Sequence, residues 1–142
     1  MIFGAKGLNN EDKIFSSLNL SGETYFIKNG NCKFSHSSNY HYIDCHTKLK
    51  QWQEIIDNQE KLKMPIEIEP YDIIIVYGPS SRVKTDPGRM KQIYMSSVLA
   101  KSNDKETLVF IYDCNRECEK EYANKYLGKP AEVIGGVACF IL

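Results

Sequence analysis

The sequence predicts an α/β fold: a single three-layer domain with a mostly parallel central sheet flanked by helices. Two apolar runs, residues 73–77 and 108–112, are rich in β-branched and aromatic residues, as expected of strands buried on both faces. Each run leads into a polar or glycine-containing loop and then into a helical pattern. Strands that alternate with helices are typical of parallel sheets, because each crossover connection places a helix on one face.

Length and composition agree with this fold class. The 142 residues suffice for one complete hydrophobic core, and 42% hydrophobic with 25% charged residues is typical of a globular protein. We therefore predict one domain, with residues 1–22 as an N-terminal helical segment and residues 23–142 as the sheet-and-helix core.

The first half of the chain contains weaker patterns. We expect a helix over residues 10–18, a strand over residues 24–28 and a second strand over residues 40–45. Thr47 is a suitable N-cap for a following helix, whose apolar residues recur at the three- and four-residue spacing of a core face: Leu49, Trp52, Ile55, Ile56 and Leu62.

The second half is more regular. A strand over residues 72–77 precedes a helix that ends near Lys101, with Asp86 as its N-cap and Pro87 in its first turn. The remaining elements are a strand over 107–112, a helix over 116–127 capped by Asn115, and a final strand over 132–142 in which Gly135-Gly136 indicate either a bulge or a close backbone approach.

Charge and cysteine content narrow the function classes. Eighteen basic and eighteen acidic residues leave no net charge, so nucleic-acid binding is not expected. No apolar stretch approaches the roughly 20 residues that cross a bilayer, and the first ten residues do not resemble a signal peptide. Five irregularly spaced cysteines favour free thiols over a disulfide framework. These features predict a cytoplasmic protein without a membrane contact.

Residues 79–105 carry an excess of basic side chains. We predict that an exposed patch there steers a partner, another protein, toward the chain through Arg82, Lys84, Arg89 and Lys91. The loop between Gly78 and Gly88 also offers serine, threonine and basic residues ahead of a helix N-terminus, so a phosphate or nucleotide site is an alternative. The sequence indicates no oligomeric state.

Cys114 is the candidate nucleophile if the protein is an enzyme. It follows a buried strand and precedes a helix, where unpaired backbone N–H groups favour a thiolate. A nucleophile also needs a base, and Tyr77-Gly78-Pro79 at the preceding strand end provides no imidazole. We therefore expect no catalytic residue.

We expect neither a metal nor a cofactor. Five potential ligands occur close together in the sequence: Cys32, His36, His41, Cys45 and His46. On one strand, however, His41 and Cys45 would lie about 13 Å apart, too far to bind one ion.

The segment Val109-Phe110-Ile111-Tyr112-Asp113-Cys114-Asn115-Arg116 resembles the nucleophile strand of caspases and paracaspases, and residues 131–140 resemble their next strand. Flavodoxin-like and TIR-like domains share this succession of elements. The proteases have His-Gly at the end of the preceding strand, whereas this chain has Tyr77-Gly78. The resemblance therefore implies a degenerate caspase-like domain, a pseudoenzyme.

The function predicted from the sequence is that of a non-catalytic protein-binding protein, such as an inhibitor, an immunity factor, a decoy or a pseudoenzyme. Two alternatives stay open. One is a small cysteine-dependent hydrolase with Cys114 as nucleophile, and the other is a phosphate- or nucleotide-binding α/β protein that uses the loop between Gly78 and Gly88.

Overall fold

The computed structural model describes residues 1–4, 11–19, 22–29, 40–43 and 47–142. They form a seven-stranded, mostly parallel sheet flanked by helices, which confirms the predicted fold class. The strands are β1 (Ile2–Phe3), β2 (Phe26–Asn29), β3 (Tyr40–Ile43), β4 (Ile73–Val76), β5 (Leu108–Ile111), β6 (Glu132–Ile134) and β7 (Val137–Ile141). The helices are α1 (Glu11–Leu18), α2 (Trp52–Ile55), α3 (Gln59–Leu62), α4 (Met90–Lys101) and α5 (Glu117–Tyr126). In this part of the chain, no helix has the length and apolar character to span a membrane.

The sheet order is β3-β2-β1-β4-β5-β7-β6. The chain runs outward from β1 to β3, returns to the centre with β4, and then runs outward in the other direction. Ile73 pairs with Leu108 and Val76 with Ile111 in parallel register, so the two apolar runs are adjacent, parallel strands of the sheet. β7 is antiparallel to both of its neighbours.

β1 and β4 approach each other very closely just beyond their paired residues. Gly4 has φ +83°, and a Cβ atom on it would lie 2.2 Å from the Cα atom of Gly78. A Cβ atom on Gly78 would lie 2.9 Å from the carbonyl oxygen of Gly4. Backbone therefore packs on backbone here, and neither position has room for a side chain.

One face of the sheet forms the main core. Its strand residues are buried under α2, α3, α4 and α5: Phe3, Ile27, Ile74, Val76, Val109, Ile111, Ala138 and Phe140. Ile93 in α4 is fully buried, while Trp52 and Ile56 are partly buried against the same core. Burial of these apolar side chains is the main force that holds the helices on this face.

The opposite face is covered less completely. Phe15 of α1 and Ile75 of β4 both pack against a small cluster of Ile2 and Phe26. On this face Ile73 of β4 is 48% exposed, and Phe110 of β5, which pairs with Ile75, is only partly buried. The prediction that both apolar runs are buried on both faces is therefore wrong for this face. The eight-residue α1 packs near the centre of the sheet, on residues of β1 and β2.

The helix predicted after Thr47 is broken into three short pieces. A 3-10 turn over Leu49–Gln51, with Lys48 as its N-cap, leads into α2, and α3 follows after Asn58. The Asn58 side chain accepts a hydrogen bond from the backbone N–H of Lys61, so α3 starts with its own cap.

Helix α5 supports this broken segment through two tyrosines. The hydroxyl of Tyr122 donates to the carbonyl of Trp52 at 2.8 Å, and that of Tyr126 donates to the carbonyl of Ile56. These side chains satisfy carbonyls that a continuous helix would have paired with its own next turn.

Other element boundaries also differ from the prediction. α4 begins at Met90 rather than beside Asp86, because Gly88 has φ +69° and interrupts the helical path. The N-cap position of α5 is held by Arg116, not Asn115. Gly135-Gly136 is the two-residue turn of a β6–β7 hairpin rather than a bulge, since both glycines have positive φ as such turns require.

The two neighbouring isoleucines of β4 test the unequal burial of the sheet faces. Ile74→Ala should lower the free energy of unfolding by about 2 to 5 kcal/mol, because the side chain is fully buried and leaves a cavity. The matched change Ile73→Ala, at a side chain that is 48% exposed, should cost at most about 1.5 kcal/mol. Urea unfolding measures both, and equal losses would contradict the assignment of faces.

The contact between Gly4 and Gly78 predicts a second effect on stability. Gly4→Ala should cost about 2 to 5 kcal/mol, because it adds a backbone clash to an unfavourable positive φ. Gly135→Ala is the control, since its φ is also positive but no atom lies within 4 Å of the added Cβ. Thermal unfolding should show the larger loss for Gly4→Ala, and a similar loss for both would contradict the close approach.

Candidate active site

The carboxyl ends of β1, β4 and β5 meet at one edge of the sheet. β1 and β4 are neighbours, yet the chain continues from β1 toward β2 on one side and from β4 toward β5 on the other. Doubly wound proteins bind their ligands in the crevice that such a reversal opens outside the strand ends. The candidate site therefore lies here, beside residues 77–81 and 112–116.

A buried guanidinium group organises this edge. Arg89 is only 5% exposed, and its Nη1 atom donates to Ser81 Oγ and Glu119 Oε1, both at 3.2 Å. Its Nη2 atom donates to the carbonyl oxygen of Tyr77 at 3.1 Å and to Asp113 Oδ2 at 2.9 Å. The sequence prediction that Arg89 belongs to an exposed steering patch is therefore wrong, because its charge is paired inside the protein.

Asp113 is the most accessible carboxylate of this group. It lies two residues beyond the end of β5, has φ +54°, and its side chain is 42% exposed. Arg116 lies 3.2 Å from the same Oδ2 atom that contacts Arg89, and also donates to Ser81 Oγ at 2.9 Å. The arrangement places a partly solvated carboxylate between two guanidinium groups, where its charge is well compensated.

Sequence reasoning missed Glu119 and Ser81 as members of this cluster. Glu119 is 1% exposed and Ser81 is 5% exposed. One sequence feature indicates a role for Glu119, namely its position on the side of α5 that carries Cys118, Tyr122 and Ala123. A carboxylate on the buried side of a helix needs a cationic partner.

Cys114 does not have the properties of a nucleophile. Burial, followed by the nearby charge of Glu119, raises the pKa of its thiol to about 11. The pKa of Cys118 is raised as well, again mainly by burial. Burial thus outweighs the helix N-terminus that the sequence suggested would favour a thiolate, and Cys114 is protonated at neutral pH.

The loop between Gly78 and Gly88 is organised by its own carboxylate. Asp86 Oδ2 accepts hydrogen bonds from Ser80 Oγ at 2.7 Å and from the backbone N–H groups of Arg82 and Val83 at 2.8 and 3.1 Å. These bonds hold the pKa of Asp86 below its usual range. The hydroxyl and backbone N–H donors that a bound phosphate would need therefore already donate to Asp86.

The other residues of the predicted binding patch have different surroundings. Arg82 and Lys84 are exposed, and Lys91 is partly buried. Binding of another protein at these side chains stays a prediction, as does the cytoplasmic location.

Metal binding was not expected, and the described residues contain no group of three or more histidine, cysteine or acidic side chains that could hold an ion. Of the five potential ligands considered from the sequence, Cys32, His36, Cys45 and His46 lie outside the described residues. His41 lies in β3.

Comparison with known proteins identifies relatives of this chain. The family model described as IRX15/IRX15L/GXM matches residues 61–135, which is slightly more than half of the chain. Glucuronoxylan 4-O-methyltransferase 3 of Arabidopsis thaliana is 28% identical, covering 87% of this chain and 50% of the relative. Arabinogalactan O-methyltransferase 2 of the same plant is 25% identical, covering 89% of this chain and 55% of the relative. No solved structure matches the chain significantly.

The matched region includes α4, β5 and α5, and with them Arg89, Asp113 and Glu119. The chain spans about half the length of the curated relatives it matches.

These relatives contradict the function predicted from the sequence, that of a non-catalytic, caspase-like binding protein. The resemblance to caspases rested on a strand followed by a cysteine, a succession that many α/β proteins share, and the similarity now extends over most of the chain to proteins named as methyltransferases. A pseudoenzyme, an inhibitor and a cysteine hydrolase are therefore wrong assignments. By the match over residues 61–135, the chain belongs to the IRX15/IRX15L/GXM family.

Proposed function

We propose that this protein transfers a methyl group to a hydroxyl oxygen of a polysaccharide, at the carboxyl edge of β1, β4 and β5. The similarity to glucuronoxylan 4-O-methyltransferase 3 over 87% of the chain carries the proposal. The Asp113 carboxylate supports it, because that group is accessible at the sheet edge where ligands of doubly wound proteins bind.

Methylation of a hydroxyl group requires removal of its proton while the oxygen forms a bond to the methyl carbon. When bound, a donor of the S-adenosylmethionine type supplies an electrophilic methyl group and departs as a neutral thioether. Asp113 accepts the hydroxyl proton as the oxygen–carbon bond forms, which is the role of a general base. The guanidinium groups of Arg89 and Arg116 hold this carboxylate in place.

An adenosyl donor would bind outside the carboxyl ends of β1 and β4. Gly4 and Gly78 lie just beyond the two strands, where their backbones contact each other and present no side chain to such a ligand, and nucleotide-like ligands bind at this position in doubly wound sheets. The sheet edge thus offers the donor a place beside Asp113, which lies two residues beyond the neighbouring strand β5.

Arg116 is suited to bind an acidic acceptor. Its side chain is 34% exposed, and it uses Nη1 and Nη2 for Ser81 and Asp113. A guanidinium group has five N–H donors, so some stay available for a sugar carboxylate of the kind that glucuronoxylan contains.

Replacement of the proposed base tests this function. Asp113→Asn should lower kcat/KM for methyl transfer by about 100- to 10,000-fold, the usual contribution of a general base. Asparagine tolerates the positive φ of this position, so the backbone is retained. The assay measures transfer of labelled methyl groups from S-adenosylmethionine to glucuronoxylan and, separately, to arabinogalactan.

The matched control is Glu121→Gln, which removes the charge of an exposed carboxylate on α5 and should leave activity within about twofold. The proposed function is wrong if the unmodified protein transfers methyl groups to neither polysaccharide. The role of Asp113 is wrong if Asp113→Asn retains full activity.

The cysteine gives a further test. Cys114→Ser should leave kcat within about threefold, because a buried, protonated thiol acts mainly as a small packing group. Treatment of the unmodified protein with iodoacetamide should label Cys114 slowly at pH 7 and faster as pH rises toward its pKa of about 11, since only the thiolate reacts. Rapid labelling at pH 7, measured by peptide mass spectrometry, would contradict this description.

A further inference from the structure

We propose that Arg89 is a positioning residue, which acts through Asp113 by fixing one oxygen of its carboxylate and leaving the other for the acceptor hydroxyl. The inference rests on the proposed function of Asp113 as the base. It assigns Arg89 a role in the reaction, although its buried guanidinium has no direct access to a substrate.

Arg89 joins four separate segments of the chain. Its two terminal nitrogens contact four segments: Tyr77 just after β4, Ser81 in the following loop, Asp113 in the turn after β5, and Glu119 in α5. A planar guanidinium fork can bind acceptors on several sides at fixed angles. Lysine has the same charge but a single nitrogen, so it cannot hold these four groups together.

Glu119 determines where the fork lies. This carboxylate is buried and lies 3.2 Å from Nη1, the nitrogen that does not contact Asp113. It compensates the buried positive charge and orients the guanidinium group of Arg89, so that Nη2 lies 2.9 Å from Asp113 Oδ2. Glu119 thus supports Asp113 indirectly, from within α5.

The contacts on Asp113 are one-sided. Both guanidinium groups approach Oδ2, Arg89 at 2.9 Å and Arg116 at 3.2 Å. No described residue donates a hydrogen bond to Oδ1. Proton transfer needs a correctly aimed free oxygen, and misplacement of a reacting group by about 1 Å can lower a rate about 100-fold.

The test is Arg89→Lys, with Lys105→Arg as the control at an exposed basic residue away from the site. Arg89→Lys should lower kcat about 10- to 100-fold while KM for the methyl donor changes less than about threefold, because misaligned proton transfer affects the chemical step. The ¹³C chemical shift of the Asp113 carboxyl carbon should change in Arg89→Lys and stay constant in Lys105→Arg.

A double substitution separates positioning from a structural role. In an Asp113→Asn background, Arg89→Lys should cause no further loss of kcat beyond about twofold, because the group that it positions has already been disabled. If Arg89→Lys does not fold, Glu119→Gln gives the same test: a loss of kcat in the unmodified background and none in Asp113→Asn.

The outcomes are distinguishable. No methyl transfer by the unmodified protein overturns the proposed function, and this inference with it. Unchanged kcat in folded Arg89→Lys, or equal losses with and without Asp113→Asn, overturns the positioning role alone.

Discussion

The parallel pairing of β1 with β4 is the constraint on which the rest of the structure depends. β1 has only two residues, yet it lies between β2 and β4 and joins the two halves of the sheet. Phe3 accepts hydrogen bonds from the backbone N–H groups of both Tyr77 and Gly78, and the glycines beyond the pair let the backbones meet. The chain leaves β1 and β4 in opposite directions along the sheet, and this reversal places the proposed reaction site outside the carboxyl ends of the two strands.

The sequence predicted those elements whose patterns are long enough to repeat. β4, β5, α4 and α5 were found because continuous apolar runs and helical spacing extend over four residues or more. β1 was missed because two residues have no periodicity, and its position is set by contacts with residues far along the chain. The helix expected after Thr47 failed for a related reason: its apolar spacing is correct, but tertiary contacts from Tyr122 and Tyr126 stabilise a broken path.

The candidate site was only partly visible in the sequence. The strand pattern predicts a site at the end of β5, but no sequence pattern distinguishes Asp113 from the adjacent Cys114 as its reactive group. The sequence grouped Arg89 with exposed basic residues, because a count of charges contains no information about burial. The burial of Arg89 depends on its ion pair with Glu119, which lies 30 positions farther along the chain. The buried pair costs desolvation energy, so its value lies in fixing one arrangement of the strand ends more than in added stability.

The central position of β1 also has a consequence for the order of folding. Ile2 pairs with Ile75, whereas Ile134 pairs with Val137 across a two-residue turn. Closing the long loop costs more chain entropy, and pairings distant in sequence slow folding. We therefore expect the β6–β7 hairpin and the β4–α4–β5 unit to form early and β1 to join late, so that the site outside the carboxyl ends of β1 and β4 is completed in the last stage of folding.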